Sequence, residues 1–313
     1  MVDFQLDEMQ EMLRDLAREF AMEEIRPHAE HWDANSEYPK DTINAAHEMG
    51  LLNLHISEDY GGPGLGCMEE VLVNEELAWG DPGFATAAYA TSLACAPLIT
   101  GATHEQKDKY LRMVAEDGAL ASYAITEPGA GSDVAACKTL AIKDGDEYVI
   151  NGRKWWSSGV MDPRCKIAIL MGKTNPDAPR HQQQSQILVP LETPGVTIKR
   201  HLPVFGFDDA PHGHMHMRFT DVRVPKENMI LGPGRGFEVA QGRLGPGRIH
   251  HCMRSIGLAE AALKLLCERS VSREAFGRPL AKLGGNVDII ADARINIEMT
   301  RLLCLKAAWL MDN

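Results

Sequence analysis

Residues 123 to 133 read YAITEPGAGSD. An apolar lead, Tyr123 to Ile125, runs into a turn holding a hydroxyl, a carboxylate, a proline and two glycines. Gly129 and Gly131 remove side chains where a main chain must approach another group closely. Such a turn gathers backbone amides and short hydroxyls tightly in one place. What flanks it decides the architecture.

Upstream, residues 1–120 read as helices. Met9, Met12, Leu13, Leu16 and Phe20 recur at helical spacing, and Pro27 closes that segment. Further helical runs surround EEVLVNEELAWG and THEQKDKYLRMVAEDG, each with a glycine stop, and ISEDYGGPGLG (56–66) between them is a loop. From 121 to 231 the pattern changes to short strands: EYVINGRKWWSS, CKIAILMGK, SQILVPL, VTIKRHL and HMHMRFTDVRVP, split by turns such as KDGDE and ETPG. They follow one another without helices, so an antiparallel β unit is expected and not a βαβ nucleotide fold. Helices return over 232–313 in IHHCMRSIGLAEAALKLLCERS and VDIIADARINIEMTRLLCLKAAWLMDN. The expected fold class is α+β, with an N-terminal helical domain (1–120), a central antiparallel β domain (121–231) and a C-terminal helical bundle (232–313). The last apolar stripe reaches Asn313 without a glycine cap, which predicts a bundle cut short there.

A net charge of -12 argues against a general nucleic-acid or anionic-membrane binder, leaving room for a local cationic pocket. No uninterrupted apolar run is long enough to span a bilayer. The acidic, helical start MVDFQLDEMQEML resembles neither a secretory signal nor an Arg-rich transit peptide. Seven cysteines without a C-x-x-C pair read as reduced thiols, so a cytoplasmic protein is expected.

Several motifs point nowhere. GPGRGF (232–237) opens no strand-turn-helix unit, so it is not a dinucleotide fingerprint. His212, His214 and His216 alternate as zinc ligands on a strand would, but polar alternation on a half-exposed strand is the plainer account, and no metal is expected. Arg248, His250 and His251 are expected at a helix start, an anion-binding position, with Arg180 and His181 opening a strand nearby in sequence.

YAITEPGAGSD followed by NGRKWWSSG resembles the flavin-binding core of the acyl-CoA dehydrogenase family. EDYGGPGLG, ILGPGRGFEVAQGRL and SREAFGRPLA agree with that family in the same order along essentially the whole chain. QGRLGPGRIHHCMR, with RHQQQSQILVP before it, is similar to the branch containing family members ten and eleven. Some of that branch carry a kinase-like domain in front; this chain starts at the dehydrogenase region, so none is expected.

The resemblance implies FAD as cofactor, with Tyr123, Ile125, Thr126, Gly131 and Ser132 along the flavin edge and Thr126 supplying a hydroxyl. Trp156 is implied to pack against the ring and Ser158 to hydrogen-bond near its reactive nitrogen. Strand alternation puts Trp155 and Trp156 on opposite faces, so at most one of them can serve the flavin. Arg273 and Phe276 are implied to reach the nucleotide half of a flavin in a neighbouring subunit, hence a homodimer or homotetramer. Ser132, Gly245, Gly247, Arg248 and His250 fall where the family contacts an acyl-CoA thioester. The implied activity is α,β-desaturation of that thioester, with electrons passed to an electron-transferring flavoprotein.

Two departures stand out. Gly284 occupies a place where many relatives have a glutamine, so one nucleotide contact is missing or supplied differently. The catalytic carboxylate of most relatives would lie beyond Asn313, and Gly247 stands where a minority place a glutamate, so no catalytic base is expected within the chain. A same-fold acyl-CoA oxidase and a catalytically silent flavin or acyl-CoA-binding scaffold are the alternatives.

Overall fold

The computed structural model describes residues 5–207 and 213–313. Its first part is helical: α1 (Glu8–Phe20), which runs into a π-helical turn (Ala21–Ile25), α2 (Ala29–Asn35), α3 (Lys40–Glu48), α4 (Cys67–Gly80), α5 (Pro82–Ala88), α6 (Ala90–Gly101) and α7 (His104–Asp117). Local chemistry starts and stops these helices. Asp7 and Gln10 cap α1 reciprocally, Thr103 and Gln106 do the same for α7, and Gly118 ends α7 at φ 62°. Of the stripe on α1, Leu13, Leu16 and Phe20 pack into the core, while Met9 and Met12 stay exposed.

Helix α4 is buried almost all round and is the centre of the helical layer. Its charged residues are therefore paired: Glu76 with Arg18, and Glu75 with Arg301. Pro82–Gly101 is long and apolar enough to cross a membrane by length and composition, which the sequence pattern did not suggest. Its Phe84, Tyr89, Cys95 and Leu98 are buried in the core clusters, as in the core helix of a globular fold.

The sheet has eight strands: β1 (Leu120–Ala124), β2 (Leu140–Asp144), β3 (Glu147–Ser158), β4 (Cys165–Lys173), β5 (Gln184–Pro190), β6 (Val196–His201), β7 (His214–Pro225) and β8 (Met229–Ile230). The order is β6-β7-β3-β2-β4-β5-β8, with β1 beside β4. Most pairs are antiparallel, but β1 runs parallel to β4, and β2 touches β4 in parallel at Leu140 and Lys173. The β2–β3 hairpin separates β1 from β4 and supplies the crossover that a parallel pair needs.

The chain then enters α8 (Gly236–Ser272), a small hairpin of β9 (Glu274–Ala275) and β10 (Arg278–Pro279), and α9 (Asn286–Asp312). Helix α8 starts well before the stripe that announces it and passes through Gly242, Gly245, Pro246 and Gly247. Propensity opposes a helix there. Packing overrides it, because α8 lies along α4 with its backbone in close contact. A Cβ on Gly257 would come within 2.2 Å of the Glu75 carbonyl oxygen, and one on Gly236 within 2.7 Å of the Ser185 backbone.

That contact can be tested. Gly257→Ala should destabilise the fold by about 1–3 kcal/mol, the usual cost of overpacking, measured by denaturant unfolding. An unchanged midpoint would show that α4 and α8 are not held at this distance.

Candidate functional site

The glycine-rich turn is built around one buried ion pair. Lys154, on β3, is fully buried, and its Nζ donates to Glu127 Oε1 at 2.7 Å and to the Ile125 carbonyl at 3.0 Å. Glu127 also accepts the backbone N–H of Lys138 at 2.6 Å and of Thr139 at 3.1 Å. Burial pushes the Glu127 carboxyl up, but the Lys154 charge and these hydrogen bonds outweigh it and hold the group below its ordinary value. Glu127 and Ala130 exchange both backbone hydrogen bonds, which closes the turn over Gly129 at φ 106°. Gly131, Ser132 and Asp133 emerge exposed from it, and a Cβ on Gly129 or Gly131 would meet only open space.

Beside the turn, β3 breaks its alternation. A bulge between Lys154 and Ser157 shifts the register against β7, and Trp156 takes a left-handed φ of 54°. The expectation that Trp155 and Trp156 occupy opposite faces fails here: their ring centroids lie 6.2 Å apart. Trp156 is 37% exposed and Trp155 half-buried, with the Trp155 backbone N–H donating to the Thr126 carbonyl at 3.0 Å. Ser158 Oγ meets His214 Nδ1 at 2.7 Å, and the His214 ring lies 5.8 Å from Trp156. His214 thus belongs to this site, a role its alternation with His216 did not suggest; His212 lies outside the described residues.

Tyr123, next to the end of β1, accepts at its hydroxyl from Gln186 Nε2 at 2.7 Å, and burial pushes that hydroxyl up to about 12. Arg243 of α8 lies 5.0 Å over the Tyr123 ring and donates to the Leu93 carbonyl of α6 at 3.1 Å. One turn on, Gly247 packs against Leu93 at 3.6 Å from where its Cβ would stand. Gly245 and Gly247 therefore lie on α8 close to Tyr123, where α6 crosses. Arg248 is exposed and has no partner among the described residues.

Two expectations need correction. Arg248, His250 and His251 do not open a helix, because α8 begins at Gly236, so the N-terminal dipole does not act on them. His250 is also no surface contact. It is 1% exposed, its Nε2 meets Glu70 Oε2 at 2.9 Å, and Tyr89 packs edge-on at 5.6 Å. Glu70 Oε1 meets His55 Nδ1 at 2.9 Å, completing a buried His–Glu–His chain. Burial would raise the Glu70 carboxyl, but the two histidines outweigh it and hold the group far below the usual carboxylate range. Burial lowers the His55 imidazole, yet Glu70 more than compensates and raises it. His251 lies beside Arg254, and burial with the charges of Arg254 and Arg243 lowers its imidazole.

Arg180 is committed to Asp133, next to Ser132. His181 stacks on Phe237 with centroids 4.2 Å apart. Together with Lys143, Asn175, Gln182 and Arg235 they line a cavity of about 850 Å³. Arg273 and Phe276 stand elsewhere, on the hairpin that follows α8, with Phe276 93% exposed at φ 53°. Helix rise puts about 40 Å of α8 between Arg243 and that hairpin. The structure does not bring these two residues to the turn.

The residues present suit a flavin. Open Cβ positions at Gly129 and Gly131, exposed Ser132, the Ser158 hydroxyl and a half-exposed indole in a strained conformation form a cradle for a flat, edge-bonding ring. The acyl-CoA dehydrogenase N-terminal, middle and C-terminal domain profiles match residues 7–117, 122–222 and 234–313. This chain belongs to the acyl-CoA dehydrogenase family. Family members bind FAD. Acyl-CoA dehydrogenase family member 10 of Mus musculus is 56% identical over 69% of this chain and 20% of its own length. Family member 11 of Homo sapiens is 52% identical over 67% of this chain and 27% of its own length. The chain thus spans about a fifth to a quarter of these curated relatives. The butyryl-CoA dehydrogenase structure of Megasphaera elsdenii superposes with a TM-score of 0.90 at 32% identity, covering 98% of this chain and 80% of that one.

The two buried charge clusters yield separate expectations. Glu127→Ala should cost about 3–5 kcal/mol by stranding the buried Lys154, and chemical unfolding would measure it. Glu70 contributes stability above its ordinary value of 4.5, which is lost as pH falls. His55, raised above 6.5, contributes below that value, and its share is lost as pH rises through the folded value. The stability gap between wild type and Glu70→Gln should therefore be widest between pH 4.5 and 6.5 and shrink on either side. A gap independent of pH would refute the coupling.

Proposed function

We propose that the intact protein is an FAD-dependent acyl-CoA dehydrogenase that desaturates an acyl-CoA thioester between its α- and β-carbons. The observation that carries this is the turn Tyr123–Ser132, pinned by Glu127 and Lys154 beside the Trp156–Ser158 bulge. Bound FAD supplies a hydride acceptor for the substrate β-carbon.

The work of this chain is positioning. Gly129 and Gly131 leave the turn open to a close approach, and Trp156 offers a flat wall to a ring held there. The Ser158 hydroxyl, oriented by His214, offers a hydrogen bond at that edge. Coenzyme A is a polyanion, and the chain is acidic overall, so its nucleotide end needs local cations. The cavity behind Arg180 provides Lys143, with Arg235 held by Glu238 and the His181–Phe237 stack as a surface for a base. Arg248 is exposed and uncommitted, and stands ready for the pantetheine or phosphate portion. Of the carboxylates near these elements, Glu127 is bound to Lys154, Asp133 to Arg180 and Glu70 to two histidines. Each is committed to a partner, so the α-proton acceptor is proposed to be a different group.

The remaining assignments rest on the same reading. An electron-transferring flavoprotein reoxidises the cofactor. A homodimer or homotetramer brings Arg273 and Phe276 of a second chain to the nucleotide half of this flavin, because about 40 Å of helix separates them from it in their own chain. The protein works in the cytoplasm.

Purified full-length protein should be yellow and release FAD on denaturation, and anaerobic acyl-CoA should bleach it. A colourless preparation that FAD cannot reconstitute would sink the proposal. Arg248→Ala should raise KM for acyl-CoA by roughly 10–100-fold, the worth of a charge-assisted hydrogen bond, without changing thermal stability. An unaltered KM would remove Arg248 from the substrate site.

A further inference from the structure

The outer face of the sheet gathers cations without counter-charges. On β7, Met215, Met217 and Phe219 turn into the core, so His214, His216 and Arg218 turn outward. Arg153 of β3 and Thr197 of β6 lie directly across from Arg218, and Arg200 of β6 lies across from His216. Lys199 sits at the irregularity beside Arg200. Arg153, Lys199, Arg200 and Arg218 are exposed, and none has a carboxylate partner among the described residues. Asp221, further along β7, is taken by Asn151. Like charges directly opposite on a sheet repel. Arg153 and Arg218 keep that arrangement in a chain whose net charge is -12. Burial, and then the charges of Arg153, Arg200 and Lys199, lower the His216 imidazole, as expected where these cations converge on one part of the face.

The same face runs on into the flavin cradle. His214, four residues or about 13 Å along β7 from Arg218, packs its ring 5.8 Å from Trp156 and meets Ser158. There the Leu202 N–H donates to the His214 carbonyl, and just beyond it Val204 and Phe207 exchange both backbone hydrogen bonds around Phe205 and Gly206. Those two central residues have positive φ, 51° and 96°. This is the pattern of a type I′ turn, which prefers Asn-Gly. A phenylalanine is strained in that first position, and this one is 99% exposed. The tip belongs to none of the core clusters.

We propose that this face, from Arg153 and Arg218 to the Phe205 tip, docks the acidic surface of a protein that carries electrons away from the cofactor. The inference rests on the acyl-CoA dehydrogenase activity already proposed. Two electrons pass from the reduced cofactor to the partner's redox group, and the proton that arrived with them as hydride is released to water. Unpaired cations on an acidic chain make a local attractive field, so the partner is acidic. Its task follows from position, because what covers this face lies beside Trp156 and His214 at the edge of the cradle. Complementary charge speeds the encounter, and an exposed aromatic anchors it.

The test uses full-length holoenzyme and, as probe, an electron-transferring flavoprotein from the same cells. Arg153→Glu combined with Arg218→Glu should raise KM for that acceptor by roughly 10–100-fold and abolish the rise in KM that added salt causes in the wild type. Arg218→Gln alone relieves the like-charge pair, so it keeps the fold and should still raise that KM a few-fold. Phe205→Asn supplies the preferred turn sequence, so Tm should hold or rise while KM for the acceptor rises roughly tenfold. Anaerobic bleaching by acyl-CoA should proceed at the wild-type rate in all three variants. A wild type that acyl-CoA does not bleach would defeat the proposed activity itself. Normal bleaching with an unaltered acceptor KM in Arg218→Gln and Phe205→Asn would defeat the docking face alone. So would a rise in KM for acyl-CoA instead, or a loss in these variants of binding to phosphatidylserine vesicles or of self-association in place of the acceptor effect.

Discussion

The site depends on one buried charge pair. Lys154 has no exposure, and removing an ammonium from water is tolerable only with a counter-charge and filled hydrogen bonds. Glu127 supplies the charge, and the Ile125 carbonyl a further acceptor. Because Glu127 also holds the backbone of Lys138 and Thr139, one carboxylate joins the end of β1, the glycine turn, the entry to β2 and the middle of β3. Thr139 in turn leaves no room beside Gly152, where a Cβ would come within 2.3 Å of its Oγ1. Burial makes the pair demanding, and that demand gives the turn a single conformation. A glycine-rich segment would otherwise lose too much entropy to hold one.

Helix α8 makes the second constraint. It carries Arg243 over Tyr123, Gly247 against Leu93 and Gly257 against the α4 backbone. Close approach demands glycine at Gly257 and Gly236, while a Cβ on Gly247 would meet Leu93 at an ordinary 3.6 Å and one on Gly242 or Gly245 would meet nothing. The cost of glycine inside a helix is offset by burial against α4 and α6, a tertiary gain that no local window contains.

This explains which parts of the molecule were legible in the amino-acid pattern. The helix, sheet, helix order follows from period alone, since stripes on α1 and α7 and alternation in β3 and β7 are local signals. The glycine turn was legible because its residue types are rare in combination. The bulge at Trp155 and Trp156 was not, since nothing in KWWSS distinguishes a regular strand from one that shifts parity between Lys154 and Ser157. One local hint existed: Lys154 shares the inward parity of Tyr148 and Ile150, and an inward lysine demands a buried partner. The start of α8 was misplaced because Pro246 and its glycines read as a break. His250 followed that error, for a histidine placed at a helix start looks like an anion ligand, and the same residue in mid-helix, facing Glu70 of α4, is part of the core.

That relocation changes how the site relates to the rest of the chain. Tyr89 and His250 lie about one helical turn from Leu93 and Gly247, respectively, on the same two helices that flank Tyr123. The His55–Glu70–His250 chain thus sets the polar side of the α6–α8 junction from within the core. Glu70 is held ionised there by its two histidine partners, and this couples the packing of α4 against α8 to the proton on Glu70. The same α8 extends unbroken to the hairpin of Arg273 and Phe276. Beyond Pro246 the helix runs on to Ser272 without another proline, so the distance between the turn near Tyr123 and that exposed aromatic tip is set by α8. Whatever meets the hairpin is therefore held at a set distance from the turn, and the packing of α8 on α4 is what keeps it there.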